Sequence, residues 1–210
     1  MAKQEVPLHV LNTYLPRGAY IYVERYLSKY KVELTVTRER SSVLGNYQGG
    51  YTGKNHRISI NGNLNRYAFL ITLLHELGHM MAFDRFGPRI PAHGTQWKCE
   101  YKKILSNFLT QQLFPRDIRD ELLRTLENPA ASSCAETSLV RVLRKYDSPK
   151  PDHFLLEELP EESYFKTKNG LLFKKMGKKR IRILARDEST HRYFLFSPVT
   201  EVKLVKKKII

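Results

Sequence analysis

The segment Phe69-Leu-Ile-Thr-Leu-Leu-His-Glu-Leu-Gly-His-Met-Met-Ala-Phe83 decides the fold of the N-terminal part of this chain. It predicts a helix over roughly residues 65–86, with Asn63 or Asn65 as its cap and Gly87-Pro88 as its end. Apolar side chains occur on nearly every side of this helix. A helix without a polar face is buried, so we expect it at the centre of its domain.

Three ionisable residues, His75, Glu76 and His79, interrupt this apolar helix. Histidines four residues apart lie on one helix face, so both imidazoles can reach one metal ion. A catalytic zinc uses three protein ligands and a water, from which the Glu76 carboxylate could take a proton while the metal polarises a carbonyl. The spacing thus predicts one zinc ion and a catalytic Glu76. Hydrogen bonding in the core without metal is the alternative.

The third metal ligand has two candidates downstream of His79. Arg85 stands where one class of zinc peptidase would have a third histidine, which excludes that class. Glu100 fits the spacing of another class, although Lys103 makes a surface ion pair its simpler role. His93 is the other candidate, and its alternative is an exposed loop histidine. The residue types alone leave both open.

The two motifs His75-Glu76-x-x-His79 and His93-Gly94-x-x-Trp97 together resemble the SprT-like metallopeptidase domain. The strand-like segments Leu34–Thr37 and Ile58–Asn61 are also similar to that family, and the resemblance covers roughly residues 18–110. It implies that His75, His79 and His93 bind one zinc ion and that Glu76 is the catalytic acid–base residue. Gly94 would let the chain turn tightly beside the metal, and Trp97 would anchor that turn in the core.

The SprT-like family includes the Spartan-type proteases, which cleave proteins crosslinked to DNA. The resemblance therefore implies a zinc-dependent endopeptidase acting on DNA-associated or DNA-crosslinked proteins. This chain differs from many members, which end in a zinc ribbon, because Cys134 is the only cysteine in that region. A bacterial-type member without a second zinc is expected. A non-enzymatic nucleic-acid-binding protein with a structural zinc is the alternative function.

Positive charge supports a polyanionic partner. The chain has a formal net charge of +15, and residues 163–210 carry 14 basic against 3 acidic side chains. Such an excess attracts nucleic acid, and we expect DNA, single-stranded or structured, as the partner. A solvated, solubilising face is the alternative. The candidate DNA contacts are Lys174, Lys175, Lys178, Lys179, Arg180, Arg182, Lys206, Lys207 and Lys208.

Aromatic side chains alternate with these basic residues. Exposed rings could stack on unpaired bases, whereas rings on the buried face of a strand would form the core, which we expect for most of them. The residues concerned are Tyr164, Phe165, Phe173, Tyr193, Phe194 and Phe196.

The predicted fold class is α+β. A helical, zincin-like core with a small antiparallel sheet, formed by strands near 32–37 and 57–61, precedes a small all-β module of four or five strands. The expected divisions are a peptidase domain over 1–128, a linker with a short helix over 129–160 and a basic β-rich module over 161–210. Further helices are predicted within 5–31, from Thr95, over 115–127 and over 136–146.

Localisation follows from what the sequence lacks. No stretch approaches 18 uncharged apolar residues, so we expect no membrane association through a spanning helix. The N-terminal residues have no apolar signal-peptide core, and two cysteines without a CxxC pair fit a reducing compartment. The expected location is the cytoplasm, including the nucleoid.

Overall fold

The computed structural model describes residues 8–40, 42–50 and 55–205. The chain divides into two compact units, Met1–Asp147 and Ser148–Ile210, and each has its own hydrophobic core. The first unit combines helices with a small sheet, and the second is built on a larger sheet, which confirms the α+β class with a C-terminal all-β module. None of the helices described has the length and apolar character needed to cross a membrane.

The first unit contains helices and strands that alternate early in the chain and become purely helical after the third strand. In order they are α1 (Leu8–Leu11), α2 (Tyr20–Lys29), β1 (Val32–Thr37), β2 (Gly45–Gln48), β3 (His56–Asn61), α3 (Arg66–Phe86), α4 (Thr95–Leu109), α5 (Arg116–Thr125) and α6 (Thr137–Arg144).

Helix α3 is the centre of the first unit, as its sequence predicts. The Asn65 side chain caps it by accepting the backbone N–H groups of Tyr67 and Ala68 at 3.1 and 2.9 Å. Gly87 ends it with a φ of 76°, a left-handed conformation that suits glycine. From Ala68 to Gly78 every residue is buried. The helix therefore places His75 and Glu76 among buried apolar side chains.

The three-stranded sheet has the order β1-β3-β2 and is mixed. The prediction that β3 lies beside β1 is confirmed, but the expected antiparallel direction is wrong because these two strands run parallel. The reason is an additional strand, β2, which was not predicted: it reverses the chain and pairs antiparallel with the other side of β3. Strand β2 consequently forms an edge of this sheet.

The second unit is a six-stranded antiparallel sheet with the order β4-β9-β5-β6-β7-β8. It has one strand more than the predicted maximum because the short β4 escaped notice. The strands are β4 (His153–Leu155), β5 (Tyr164–Lys166), β6 (Leu172–Lys179), β7 (Arg182–Asp187), β8 (Tyr193–Phe196) and β9 (Glu201–Val205), and a 3-10 turn follows β4 at Leu156–Glu158.

The segment 129–160 differs from the predicted linker. Helix α6 belongs to the first unit, where Leu139 and Leu143 are buried in the core. Strand β4 belongs to the second unit, where it pairs with β9. The division between the units falls at Asp147/Ser148 rather than over a long connection, because apolar side chains on both sides of it are used for packing.

Candidate metal centre

Three histidines, two from one helix and one from a loop, converge in the first unit. His75 and His79 lie one turn apart on α3, and His93 lies just before α4. The Nε2 atom of His75 is 3.3 Å from Nε2 of His79 and 3.3 Å from Nε2 of His93. The structure therefore brings together the three residues that the resemblance named as ligands. Among the residues described, this is the one group of three or more histidine, cysteine or acidic side chains that could hold a metal ion.

Hydrogen bonding between the rings cannot account for this cluster. A neutral imidazole has one N–H and one lone pair, so the single Nε2 atom of His75 cannot form two hydrogen bonds within the ring plane. At least one of its two 3.3 Å contacts is therefore not a linear hydrogen bond. A cation between the three nitrogens removes that conflict, so the donor set fits a metal ion.

The three imidazoles are held in the neutral form that a metal requires. Burial, together with the neighbouring His79 and His93, lowers the pKa of His75 to about 3. Burial and the charge of His93 lower the pKa of His79 to about 4. Burial also lowers the pKa of His93. Neutral imidazole is the metal-binding form.

Helix α4 supports the cluster through Trp97. Its indole is fully buried, lies stacked on His79 with ring centroids 5.2 Å apart, and directs Nε1 at the His75 backbone carbonyl at 3.5 Å. Gly78 allows this approach, because a Cβ there would lie 3.0 Å from Cβ of Tyr101 and 3.3 Å from Nε1 of Trp97. Trp97, which was expected to anchor the turn in the core, is thus buried there, and it also contacts the helix that carries His75 and His79.

The turn before α4 has a steric requirement at Gly94. Its backbone N–H donates to the Pro91 carbonyl at 3.0 Å, and a Cβ there would lie 3.1 Å from Cβ of Pro91. The φ of Gly94 is −73°, so the glycine is needed for space rather than for a left-handed conformation. This turn positions His93 beside His75 and His79.

Glu76 lies against strand β2 at the same cleft. A Cβ on Gly45 would fall 2.7 Å from the Glu76 Oε1 atom, so β2 can pass this closely only because residue 45 is glycine. Burial raises the pKa of Glu76 to about 7, and the Arg40 guanidinium and a hydrogen bond from the Tyr47 backbone N–H oppose that rise. The sequence analysis missed these neighbours, because nothing in Gly45-Asn-Tyr-Gln48 indicates a strand.

Arg40 also shapes the loop that leads into β2. Its guanidinium donates to Asn61 Oδ1 at 2.8 Å and to the Ser59 hydroxyl at 3.0 Å. The buried Asn61 amide donates in turn to the backbone carbonyls of Arg40 and Val43. The loop is therefore tied to the end of β3. The isolated Arg40 gave no signal in the sequence.

The cluster opens into a cleft of about 610 Å³. Its walls are uncharged apart from the cluster and Glu76: the segment 42–47 forms one wall, and residues 131–133 contribute on the other side of the histidines. The volume is in the range of small-molecule and peptide-binding clefts. The three histidines and Glu76 therefore face a space that a substrate could enter.

Glu100 is not part of this cluster. Its Oε1 atom accepts Arg85 Nη1 at 2.9 Å and Lys103 Nζ at 2.8 Å. Both hydrogen bonds lower its pKa, against the effect of burial. The ion-pair alternative from the sequence is confirmed for this residue, although the carboxylate is buried rather than on the surface.

The candidate DNA contacts in the second unit occupy different environments. Lys175 is buried, and its ammonium donates to the backbone carbonyls of Leu156, Glu157 and Leu159, so the prediction that it contacts DNA is wrong. Lys174 forms an ion pair with Glu162. Four candidates are exposed near the β6–β7 turn: Lys178, Lys179, Arg180 and Arg182. Lys206, Lys207 and Lys208 lie outside the described residues.

The aromatic residues of the second unit lie partly in its core and partly at its surface. Phe165 and Phe173 are buried in the core of the sheet, and Phe196 packs against that core. Tyr193 and Phe194 are exposed.

Comparison of the chain with protein-family models, with curated proteins and with solved structures found no match. Interpretation of the site consequently depends on its own geometry.

Proposed function

We propose that this chain is a zinc-dependent endopeptidase of SprT-like type that acts on DNA-associated or DNA-crosslinked proteins. One observation carries the peptidase part: a buried carboxylate, Glu76, shares an open cleft with three convergent imidazoles. A structural zinc site is normally closed by four protein ligands, whereas a catalytic site has three and keeps one position open.

Zinc is the metal that this donor set suits best. Imidazole nitrogens on a tetrahedral zinc, with bonds of about 2.0–2.1 Å, lie about 3.3–3.4 Å apart. Two of the Nε2–Nε2 distances in the cluster are 3.3 Å. The ligands proposed are His75, His79 and His93. When bound, zinc would supply a Lewis acid that activates water and polarises a peptide carbonyl.

Glu76 would act as the proton carrier of the reaction. Its carboxylate borders the cleft without belonging to the ligand cluster, so it can accept a proton from water and return it to the leaving amine. The Tyr47 backbone N–H and the tight passage of Gly45 hold the carboxylate in place. The chain's own contribution is therefore a fixed base beside a cleft.

Strand β2 would orient the substrate. It is an edge strand and forms one wall of the cleft. An extended peptide can add to such an edge through backbone hydrogen bonds, which are independent of side-chain identity. A substrate held in this way would have its backbone carbonyl beside the histidine cluster. This arrangement suits an endopeptidase with broad sequence tolerance.

The test is hydrolysis by Glu76→Gln, with zinc content measured in parallel. Loss of general-base catalysis should lower the rate on an unstructured protein, and on a protein crosslinked to single-stranded DNA, by about 10²–10⁴-fold. Zinc content should stay at the wild-type level, because Glu76 is not a ligand. Glu127→Gln is the matched control, since that carboxylate is exposed and pairs only with Lys102 among the ion pairs found. A Glu76→Gln rate equal to wild type would refute the mechanism.

The alternative, a nucleic-acid-binding protein with a structural zinc, makes a different prediction. Removal of the metal by a chelator would then lower the melting temperature, while the wild-type protein would have no hydrolytic activity to lose. Activity therefore separates the two functions, whereas the salt dependence of DNA affinity does not, because both predict it.

A further inference from the structure

One face of the second unit's sheet is strongly basic. The apolar core occupies the other face, where Phe165, Phe173 and Ala185 are buried. Strand alternation places every second residue on the opposite side, which we call the open face. The pairing register puts six basic residues there: Lys166, Lys174, Lys179, Arg182, Arg186 and Lys203.

Two pairs on the open face set like charges directly opposite one another. Lys166 pairs in register with Lys203 across β5 and β9, and Lys179 pairs with Arg182 across β6 and β7. All four residues are exposed. Like charges directly opposite on neighbouring strands destabilise a sheet. An anionic ligand lying over both positions would relieve that repulsion.

Two tyrosines frame the middle of the open face. The register aligns Tyr164, Lys174, Arg186 and Tyr193 in one row across four adjacent strands. Strands are about 4.8 Å apart, so the two rings lie about 14 Å from each other, with two cations between them. Tyr193 is 59% exposed, and a cavity of about 310 Å³ opens beside Tyr164 and Lys174.

Acidic neighbours offset only part of this charge. Glu162 pairs with Lys174, and Glu188 pairs with Arg186 at 3.0 Å, so each of the two cations in the central row has one carboxylate partner. Glu201 is the one acidic residue of the described strands on the open face, and it pairs with Lys150 at 3.8 Å. The positive charges of the two like-charge pairs, Lys166/Lys203 and Lys179/Arg182, therefore exceed the negative charge on this face.

We infer that the open face binds single-stranded DNA, with Tyr164 and Tyr193 stacking on unpaired bases and the six basic residues contacting phosphates. Aromatic rings on either side of two cations, one of them the exposed Tyr193, suit a single strand, because a duplex keeps the faces of its bases inside the stack. The choice of DNA as the nucleic acid rests on the proposed function. The surface itself is independent of the metal centre.

The substitution Lys166→Glu tests DNA binding without an expected loss of stability. It should weaken binding of a labelled oligothymidine of about 20 nucleotides roughly tenfold and lower the slope of log affinity against log salt by about 1. The same change places a glutamate opposite Lys203, so the melting temperature should not fall. Arg119→Glu, at an exposed position of the first unit, alters the net charge equally and should leave affinity near wild type.

The tyrosines test the stacking. Tyr193→Leu should weaken binding about tenfold, within the 1–3 kcal/mol of one base–aromatic stack, and Tyr193→Phe should restore it. Anisotropy titrations of the full chain would measure both. Duplex DNA bound as tightly as the single strand, RNA of matching sequence bound more tightly than DNA, or a neutral Tyr193→Leu would each overturn the inference. The assay measures DNA binding and needs no hydrolysis. It would therefore still test the inference if the chain had no peptidase activity.

Discussion

The histidine cluster of α3 and the buried Lys175 of β6 are two ways of placing a basic nitrogen among apolar side chains. Lys175 directs its ammonium at three backbone carbonyls, those of Leu156, Glu157 and Leu159, so its three donors have three acceptors. His75 instead directs its Nε2 atom at two other imidazole nitrogens, and one ring nitrogen cannot form a linear hydrogen bond to both.

This difference separates structure from function. A buried polar group whose hydrogen bonds are complete stabilises the fold around it, and nothing remains for a ligand to satisfy. A buried cluster whose members cannot satisfy one another lacks a component. In the first unit that component fits a cation, and the cleft beside the cluster gives a substrate access.

The largest effect is expected from removing a member of the cluster. His93→Ala leaves two imidazoles, and we expect metal content after dialysis to fall from about one ion per chain to near zero. The loss should exceed the roughly 10- to 100-fold weakening typical of residues that only orient a ligand. Glu100→Ala is the control, because its carboxylate contacts Arg85 and Lys103 instead. Metal loss in the Glu100 variant alone would contradict this ligand set.

The next largest effect is expected from the buried Lys175. Lys175→Met keeps the length of the side chain but leaves buried carbonyls without a donor, which costs about 1–3 kcal/mol for each group. We expect the free energy of unfolding to fall by about 3 kcal/mol in urea titrations followed by circular dichroism. Lys174→Met, one residue earlier and on the open face, should cost less than about 1 kcal/mol. Equal losses would show that Lys175 has no special structural role.

Elements with strong periodicity could be predicted from the sequence. Elements and side chains whose place depends on a distant partner could not. Helix α3, its cap and its glycine end follow from local pattern, and the spacing of the histidines follows from helix geometry. Strand β2 was missed because Gly45-Asn-Tyr-Gln48 lacks β-branched residues and gains its place by pairing with β3. Lys175 was misjudged because a run of lysines does not reveal which one points inward. That depends on strand parity, which the bulge between Lys175 and Gly177 also changes.

A smaller effect should follow from closing the space between β2 and α3. Gly45→Ala introduces a Cβ within 2.7 Å of both Glu76 Oε1 and Thr72 Cγ2, which forces the strand or the carboxylate to move. We expect peptide hydrolysis to fall about tenfold and stability by about 1–3 kcal/mol, while zinc content stays unchanged. Gln48→Ala, an exposed position on the same strand, is the control. An unchanged rate of hydrolysis in Gly45→Ala would show that the close packing of β2 on α3 has no role in the reaction.

The smallest effect concerns Asp187, a buried acid of the second unit that, like Lys175, forms several hydrogen bonds within its own unit. Its Oδ1 atom accepts the Ser189 hydroxyl and the backbone N–H groups of Ser189 and Thr190, and these hydrogen bonds lower its pKa. A depressed pKa in the folded state means that the stabilisation is complete above the unfolded value of about 3.9 and is lost as pH falls through the folded value. Asp187→Asn keeps an acceptor but has no charge, so it should melt slightly below wild type at pH 7.

That gap in melting temperature between wild type and Asp187→Asn should narrow as the pH falls below about 4, because protonation makes the wild-type side chain neutral as well. Calorimetric scans of both proteins between pH 7 and pH 2 would measure it. A gap that stayed constant over this range would mean that the charge of Asp187 contributes nothing and that the shape of the turn alone holds the β7–β8 connection. In that case the buried Lys175 and Asp187 would differ from the histidine cluster in their hydrogen bonds and not in their charge.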